Sequence, residues 1–429
     1  MVRVAWMERL GADGLRVEYG VYDLRLDDTG RVQGTAIVGG RALGSGVVAF
    51  ATSPGLTITK VEVDGAAIAP VPDADGVWSV AAHGSPGRSH RVHVVYEGRL
   101  TRAFMRDAAG YAWYELQSMT GWHPRFAVDG QWSSRLSLTV PATFEAVSSF
   151  GLVEQARTSA TIRYVWDTGD ATCDDFSVVV GEGLWGDGSS GPVELRALCQ
   201  RTSPCTPDGV LAAGAAAVQA YSGWWGPCPY QRVTLACLPH ASCGNCSREG
   251  LVLFGELRSD PVHAPDAFGL VAHEVCHMWW GWGVRFDEDQ SLGYVEALAH
   301  YGDERLTRDR FGESAFRSHL SEYLLPNAKA AEAVARVSLR DCRYSTPESS
   351  RLRQRKGAAV MLLLERRIGR KAMDAALSTL LAASSGETAG PAEVRRAFME
   401  VGGTQCEGFF DNYFDGVVPI PMDPAAYGE

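Results

Sequence analysis

The chain has 429 residues and contains no run of about 18 consecutive apolar residues, so no membrane-spanning helix is expected. Its opening stretch, MVRVAWMERLGADGLRVEYG, lacks an apolar signal core; it reads as mature sequence, with the cytoplasm as the expected compartment. Basic residues are also in deficit, 40 Lys and Arg against 51 Asp and Glu. A net charge of −11 argues against a nucleic-acid or anionic-membrane partner and is accounted for by solubility. Cysteine is sparse as well, since ten in 429 residues do not make a disulfide-dense scaffold. Neither an internal repeat nor a low-complexity segment is present. What remains is 46% hydrophobic and 21% charged, the composition of a globular protein, and too long for one ordinary core.

Two domains are therefore expected, 1–190 and 191–429. The first reads as β structure throughout: short alternating runs recur at Leu15–Tyr19, Arg31–Val38, Gly46–Ala51, Leu56–Val63, His90–Tyr96, Leu136–Val140 and Ser159–Trp166. Gly, Pro, Asp and Ser punctuate them, which predicts an all-β sandwich or saddle of two sheets. Its most aromatic piece, Tyr111–Phe126, suits equally a core strand with a buried turn or one wall of a substrate cleft. Gly181–Gly191 reads as a glycine-rich linker. Beyond it, helices are expected at Val193–Gln200 and Leu211–Tyr221, and strands at Arg232–Leu238 and Leu251–Phe254, the latter as a sheet edge. The remainder is predicted to be almost wholly helical, with Ala315–Leu325, Lys356–Ile368, Lys371–Ala383 and Pro391–Val401 as its clearest segments. The fold class is thus α+β and multidomain, an N-terminal all-β unit followed by a mixed but mostly helical one.

The stretch that carries chemistry is Gly269–Gly281, GLVAHEVCHMWWG. It contains HExxH, and on a helix His273 and His277 lie one turn apart on one face, so both imidazoles can address a single ion. Glu274 is displaced by about a quarter turn, beside the ion rather than on it, where it can act as a general base. A catalytic zinc needs a third protein ligand and an open position. Glu296, separated from His277 by 18 intervening residues and lying in Gly293-Tyr-Val-Glu-Ala-Leu-Ala-His-Tyr301, is the best candidate for it. A helix end, a loop and a second crossing helix fit in the interval.

Five cysteines, Cys228, Cys237, Cys243, Cys246 and Cys276, crowd into one 49-residue window. With Cys243-Gly-Asn-Cys246 as a CxxC, the first four have the residue types for a structural zinc. Buried or incidental thiols in a reducing compartment are the favoured reading, so only one zinc, the catalytic one, is expected.

HEVCHMWWG, VEALAHY at its distance, Arg355-Lys-Gly-Ala-Ala359 opening a later helix, and Trp122-His-Pro-Arg125 together resemble the M1 family of zinc metallopeptidases. These are the gluzincins typified by aminopeptidase N and leukotriene A4 hydrolase. The resemblance implies an N-terminal β saddle and a thermolysin-like catalytic domain, without the large C-terminal helical domain of the long members. It carries over His273, His277 and Glu296 as zinc ligands and Glu274 as general base. Two family elements are altered. Aligned on its glycines, Gly244-Asn-Cys-Ser-Arg-Glu-Gly250 puts Ser247 where the GxMEN motif has the glutamate that binds the substrate's α-amine. Glu249 lies two residues out of register, on the same face of a strand. Where the family has a catalytic tyrosine, three residues before Gly357, this chain has Gln354, whose amide can also donate to an oxyanion. Tyr344, in the preceding loop, is the other candidate. The strand that lines the amine subsite in the family is matched by Tyr114-Glu115-Leu116-Gln117, so Glu115 or Gln117 could replace the lost anchor.

The expected activity is zinc-dependent hydrolysis of a peptide or other amide bond, aminopeptidase-like but with altered amine recognition. Two alternatives stand beside it: a small-molecule tailoring enzyme on the same scaffold, and a non-catalytic module that keeps zinc for structure. The last ranks lowest, because Glu274 has no duty in coordination.

Overall fold

The computed structural model describes residues 10, 13–44, 46–72, 77–82, 84–117, 120–126, 132–169, 176–238, 241, 243–255, 257–286, 292–342, 347–384 and 387–427. Its first part is built on an eight-stranded sheet. From one edge the strands run Leu152–Arg157, Thr161–Asp167, Ser133–Pro141, Leu15–Leu26, Arg31–Ala42, Ser89–Arg99, Leu56–Val63 and Ala66–Ala67. Period-two patterning explains these strands: Leu15, Val17, Tyr22, Leu24 and Leu26 are buried while Arg16, Glu18, Asp23 and Arg25 face solvent. A four-stranded sheet (Glu145–Ser148, Val178–Gly181, Ala112–Leu116, Phe104–Arg106) and a three-stranded one complete the β region.

The aromatic segment is core. Tyr114, Leu116, Trp122 and Phe126 are buried among the β-region side chains. Trp113, on the opposite face of its strand, packs with Val147 and Val179 against Leu198, Ala236, Leu251 and Leu253 of the next sheet. That shared apolar cluster fastens the two regions together.

The second region opens with five strands: β1 Gly183–Ser190, β2 Val193–Gln200, β3 Arg232–Cys237, β4 Asn245–Arg248 and β5 Leu251–Phe254, in the order β1-β2-β3-β5-β4. Three expectations are corrected here. Val193–Gln200 is a strand, parallel to β3, not a helix; its buried Leu195, Ala197 and Cys199 alternate as a sheet demands. The glycine-rich Gly181–Gly191 is no linker, because Gly183–Ser190 is strand β1. A Cβ on Gly183 would stand 2.3 Å from Leu198 Cδ1, so glycine there serves close packing rather than looseness. Finally, β5 is internal, and β4 is the outer strand.

Helices pack over this sheet. Helix α1, Pro207–Trp225, starts with Thr206, which accepts from the Gly209 amide, and Pro207 in its first turn. Helix α2, Pro265–Cys276, and helix α3, Leu292–Phe311, carry the sequence motifs. Further on, Leu352–Lys356 forms a turn of π-helix that leads directly into helix α4, Gly357–Ile368. Three helices follow: Arg370–Ser384, Pro391–Gly402 and Thr404–Tyr413. Trp225, Tyr221, Trp279 and Trp280 form an aromatic cluster under α2, in which truncating one such ring to Ala typically costs about 3–5 kcal/mol. No helix among the described residues is long and apolar enough to cross a membrane.

Candidate metal centre

Helix α2 is buried along Val271–Cys276, with His273, Glu274 and Cys276 among its buried side chains, and it packs against helix α3. The two helices approach closely because Gly302 of α3 has no side chain. A Cβ there would lie 2.6 Å from Cys276 Sγ. Along α2 His273 Nε2 stands 3.2 Å from His277 Nε2, and across this contact it lies 3.7 Å from Glu296 Oε2.

The tautomers follow from the partners. His277 Nδ1 lies 3.0 Å from the Trp280 carbonyl oxygen, which can only accept, so that nitrogen carries the hydrogen. His273 Nδ1 lies 3.0 Å from Asp303 Oδ2 and donates to the carboxylate. In the neutral rings both Nε2 lone pairs then point into one space, facing each other. Burial alone would push the His273 pKa down. The Asp303 hydrogen bond and the negative charges of Glu274, Asp303 and Glu296 outweigh it and raise it to about 9. Burial also opposes ionisation of Glu296, yet the charges of His277, His273, His300 and Arg353 hold its carboxyl below the usual range. Among the described residues Glu296 Oε2 is buried without a hydrogen-bond partner, an arrangement that normally costs free energy. These features fit a zinc ion: convergent imidazole nitrogens, an unsatisfied carboxylate oxygen and an anionic surround that calls for positive charge.

Asp303 and His300 escaped the sequence reading. Asp303 Oδ2 also receives His300 Nδ1, at 2.9 Å. Despite burial, the two imidazoles lower the Asp303 carboxyl to about 2. Burial and the His273 charge lower His300 to about 4. Its ring lies over His273 at 4.0 Å between centroids. The ligand atoms of His273, Glu296 and His300 all fall within 4.8 Å of one another, which makes His300 a further group able to hold a metal. The signal was present, for Glu296, His300 and Asp303 recur at helical spacing on one face of α3.

Of the remaining expected site residues, Ser247 touches Glu274. Ser247, on outer strand β4, is buried, and its Oγ lies 2.8 Å from Glu274 Oε2 and 2.6 Å from Glu274 O. Glu249 forms an ion pair with Arg285. Gly244 makes the turn between Cys243 and Cys246, at φ 77°, and these cysteines are joined by a disulfide. Cys237 is buried and Cys228 half-buried, both as free thiols. Glu115 and Gln117 are buried to within 1% and bonded to each other, with Cys243 Sγ 4.0 Å from Glu115 Oε1. Gln354 sits half-buried in the π-turn, whereas its neighbour Arg353 is fully buried. Tyr344 lies outside the described residues.

Helices α2 and α3 thus bring HExxH and a distant glutamate together in one buried place. Residues 242–413 match the family described as the Peptidase family M1 domain. Among solved structures, the chain is similar to the M1 zinc metallopeptidase of Deinococcus radiodurans, at TM-score 0.71 and 17% identity, over 96% of each chain. It is similar, too, to a mutant of that protein bound to a Tyr-Ser-Ala substrate (TM-score 0.71, 16% identity, 96% of each chain). A third is a two-domain M1 zinc metallopeptidase mutant bound to L-tryptophan (TM-score 0.72, 16% identity, 96% of this chain and 97% of that one). No curated protein sequence matches. The match to an M1 peptidase domain over residues 242–413 marks a hydrolase, and the fold is shared with two-domain M1 zinc metallopeptidases.

Proposed function

We propose that the protein is a zinc-dependent hydrolase of peptide or related amide bonds whose recognition of a free α-amine is altered. The observation that carries the reading is the placement of His273 Nε2 in one buried space, 3.2 Å from His277 Nε2 and 3.7 Å from Glu296 Oε2, which has no hydrogen-bond partner among the described residues. These three residues would hold the zinc, with His300 as a further group able to do so. When bound, zinc supplies a Lewis acid that polarises a carbonyl and acidifies water. Glu274, beside it, accepts the proton of the attacking water and returns it to the leaving amine. Asp303 and the Trp280 carbonyl keep both imidazoles oriented. Gln354 remains the proposed oxyanion donor among the described residues, with Tyr344 as its alternative.

Amine recognition is the part we read as changed. Ser247 carries no charge to pair with an ammonium, and its hydroxyl is engaged by Glu274. Glu249 is committed to Arg285, and Glu115 to Gln117. An ammonium held by a carboxylate is a charge-assisted contact of about 1.5–3 kcal/mol, roughly a 10- to 150-fold preference. Without it, that preference shrinks, and a blocked or non-peptide amide becomes an equal substrate. This also keeps open the tailoring-enzyme reading, in which the same groups act on a small molecule.

The test is hydrolysis of Tyr-Ser-Ala and N-acetyl-Tyr-Ser-Ala by zinc-loaded and chelated protein. Comparable cleavage of both, lost on chelation, is expected. A strong preference for the free amine would overturn the altered-recognition reading and direct attention to Glu115. If neither peptide is cut while zinc is bound, the peptidase reading falls and the tailoring-enzyme reading leads.

A further inference from the structure

The end of helix α2 is where the metal helix meets the outer strand of the sheet. In a continued helix the Met278 amide would donate to the Glu274 carbonyl; here it donates to Val275 O, 3.0 Å away. The Glu274 carbonyl thus belongs to the unpaired last turn of α2. Ser247 Oγ stands 2.6 Å from that carbonyl oxygen and 2.8 Å from Oε2 of the same residue, with Ser247 only 6% exposed. Both of those oxygens accept, and one hydroxyl hydrogen is shared between them or alternates. A single side chain therefore touches Glu274 at both its backbone and its carboxylate.

We propose that Ser247 is a positioning residue that fixes the Glu274 carboxylate beside the metal space and, through it, supports hydrolysis. The proposal rests on Glu274 being the general base. A glutamate side chain has three torsions, and nothing in α2 itself restricts the last of them. Anchoring Oε2 to strand β4 removes that freedom, while the second contact ties β4 to the end of α2, so strand and carboxylate move as a unit. The chemistry requires a donor: an ionised carboxylate at position 247 could supply neither hydrogen bond and would repel Glu274. The serine thus accounts for two things at once, the capped end of the helix and the lost ammonium partner. An approach error of about 1 Å in a catalytic group costs roughly 100-fold in rate, which bounds what Ser247 can contribute.

A double-mutant cycle tests this on Tyr-Ser-Ala hydrolysis with zinc content measured throughout. Ser247→Ala is expected to lower kcat by about 10- to 100-fold with little change in KM and one zinc retained. Ser247→Thr, which keeps the hydroxyl, is expected to restore most of the rate. In a Glu274→Gln background the Ser247→Ala effect is expected to vanish, because residues acting as a unit are not additive. A raised KM with unchanged kcat, or an undiminished effect in the Glu274→Gln background, would overturn the proposal. If Glu274→Gln alone leaves the rate intact, it is the reading of Glu274 as base that fails. Independently of any substrate, a crystal structure of zinc-loaded Ser247→Ala is expected to show the Glu274 carboxylate in more than one rotamer; a single unshifted one would contradict the assignment.

Discussion

Replacing Asp303 by Asn isolates what the outer carboxylate does for the metal centre. Its Oδ2 takes the Nδ1 hydrogen of His273 at 3.0 Å and that of His300 at 2.9 Å, in a buried setting. Asparagine preserves shape and one acceptor, but removes the charge that holds both rings and makes His273 more basic. Loss of such a partner typically weakens metal affinity 10- to 100-fold, about 1.4–2.7 kcal/mol. Competition with a chromogenic chelator measures it, with Asp309→Asn as the control. Asp309 pairs with Arg370 at the surface, where an ion pair contributes about 0–1 kcal/mol to stability and nothing to zinc. The predicted result is weaker zinc binding in Asp303→Asn alone, with the fold retained by circular dichroism. Equal affinity in the parent and both variants would refute the argument that Asp303 orients and polarises His273.

Three further outcomes follow from the same contacts. Gly357→Ala would put a Cβ 2.8 Å from that of Ala297, next to Glu296. It should cost about 1–3 kcal/mol in denaturant unfolding and weaken zinc binding, whereas unchanged stability would show that α3 and α4 can separate freely. In metal-free protein, His273 has a pKa raised from 6.5 to about 9. Its contribution to stability is complete below pH 6.5 and is lost as pH rises through about 9. Zinc displaces the same proton, so affinity should rise about tenfold per pH unit and level off above that point; a flat profile from neutral pH upward would contradict this. Cys243→Ser should leave zinc at one per chain, since its sulfur is bonded to Cys246, while a fall from two zincs to one would restore the structural site.

What was legible in the sequence was whatever local periodicity controls. His273 and His277 share a face because helical geometry puts i and i+4 together, and Glu296 lay within reach at its spacing. Asp303 was equally legible, seven residues along the same helix face, but only with attention to what orients an imidazole. Val193–Gln200 is ambiguous in sequence because a short apolar run suits a buried strand as well as a helix, and its pairing with Arg232–Cys237 is decided by tertiary contacts. Glycine richness at 183 and 186 suits a linker by composition, yet these glycines let β1 lie close against Leu198 and Pro207. The π-turn at Leu352–Lys356 has no signature in hydrophobic periodicity. It buries Arg353 and leaves Gln354 half-buried. Ser247 touching Glu274 could not be foreseen, because it depends on where β4 meets the end of α2.

The most direct measurement is Glu274→Gln, with zinc content and Tyr-Ser-Ala hydrolysis read on the same preparation. The substitution keeps the shape of the side chain and removes its capacity to take a proton. One zinc per chain with kcat reduced by at least about 100-fold, the lower range for a lost general base, is the predicted result. Full zinc occupancy with undiminished hydrolysis would contradict the account at its centre.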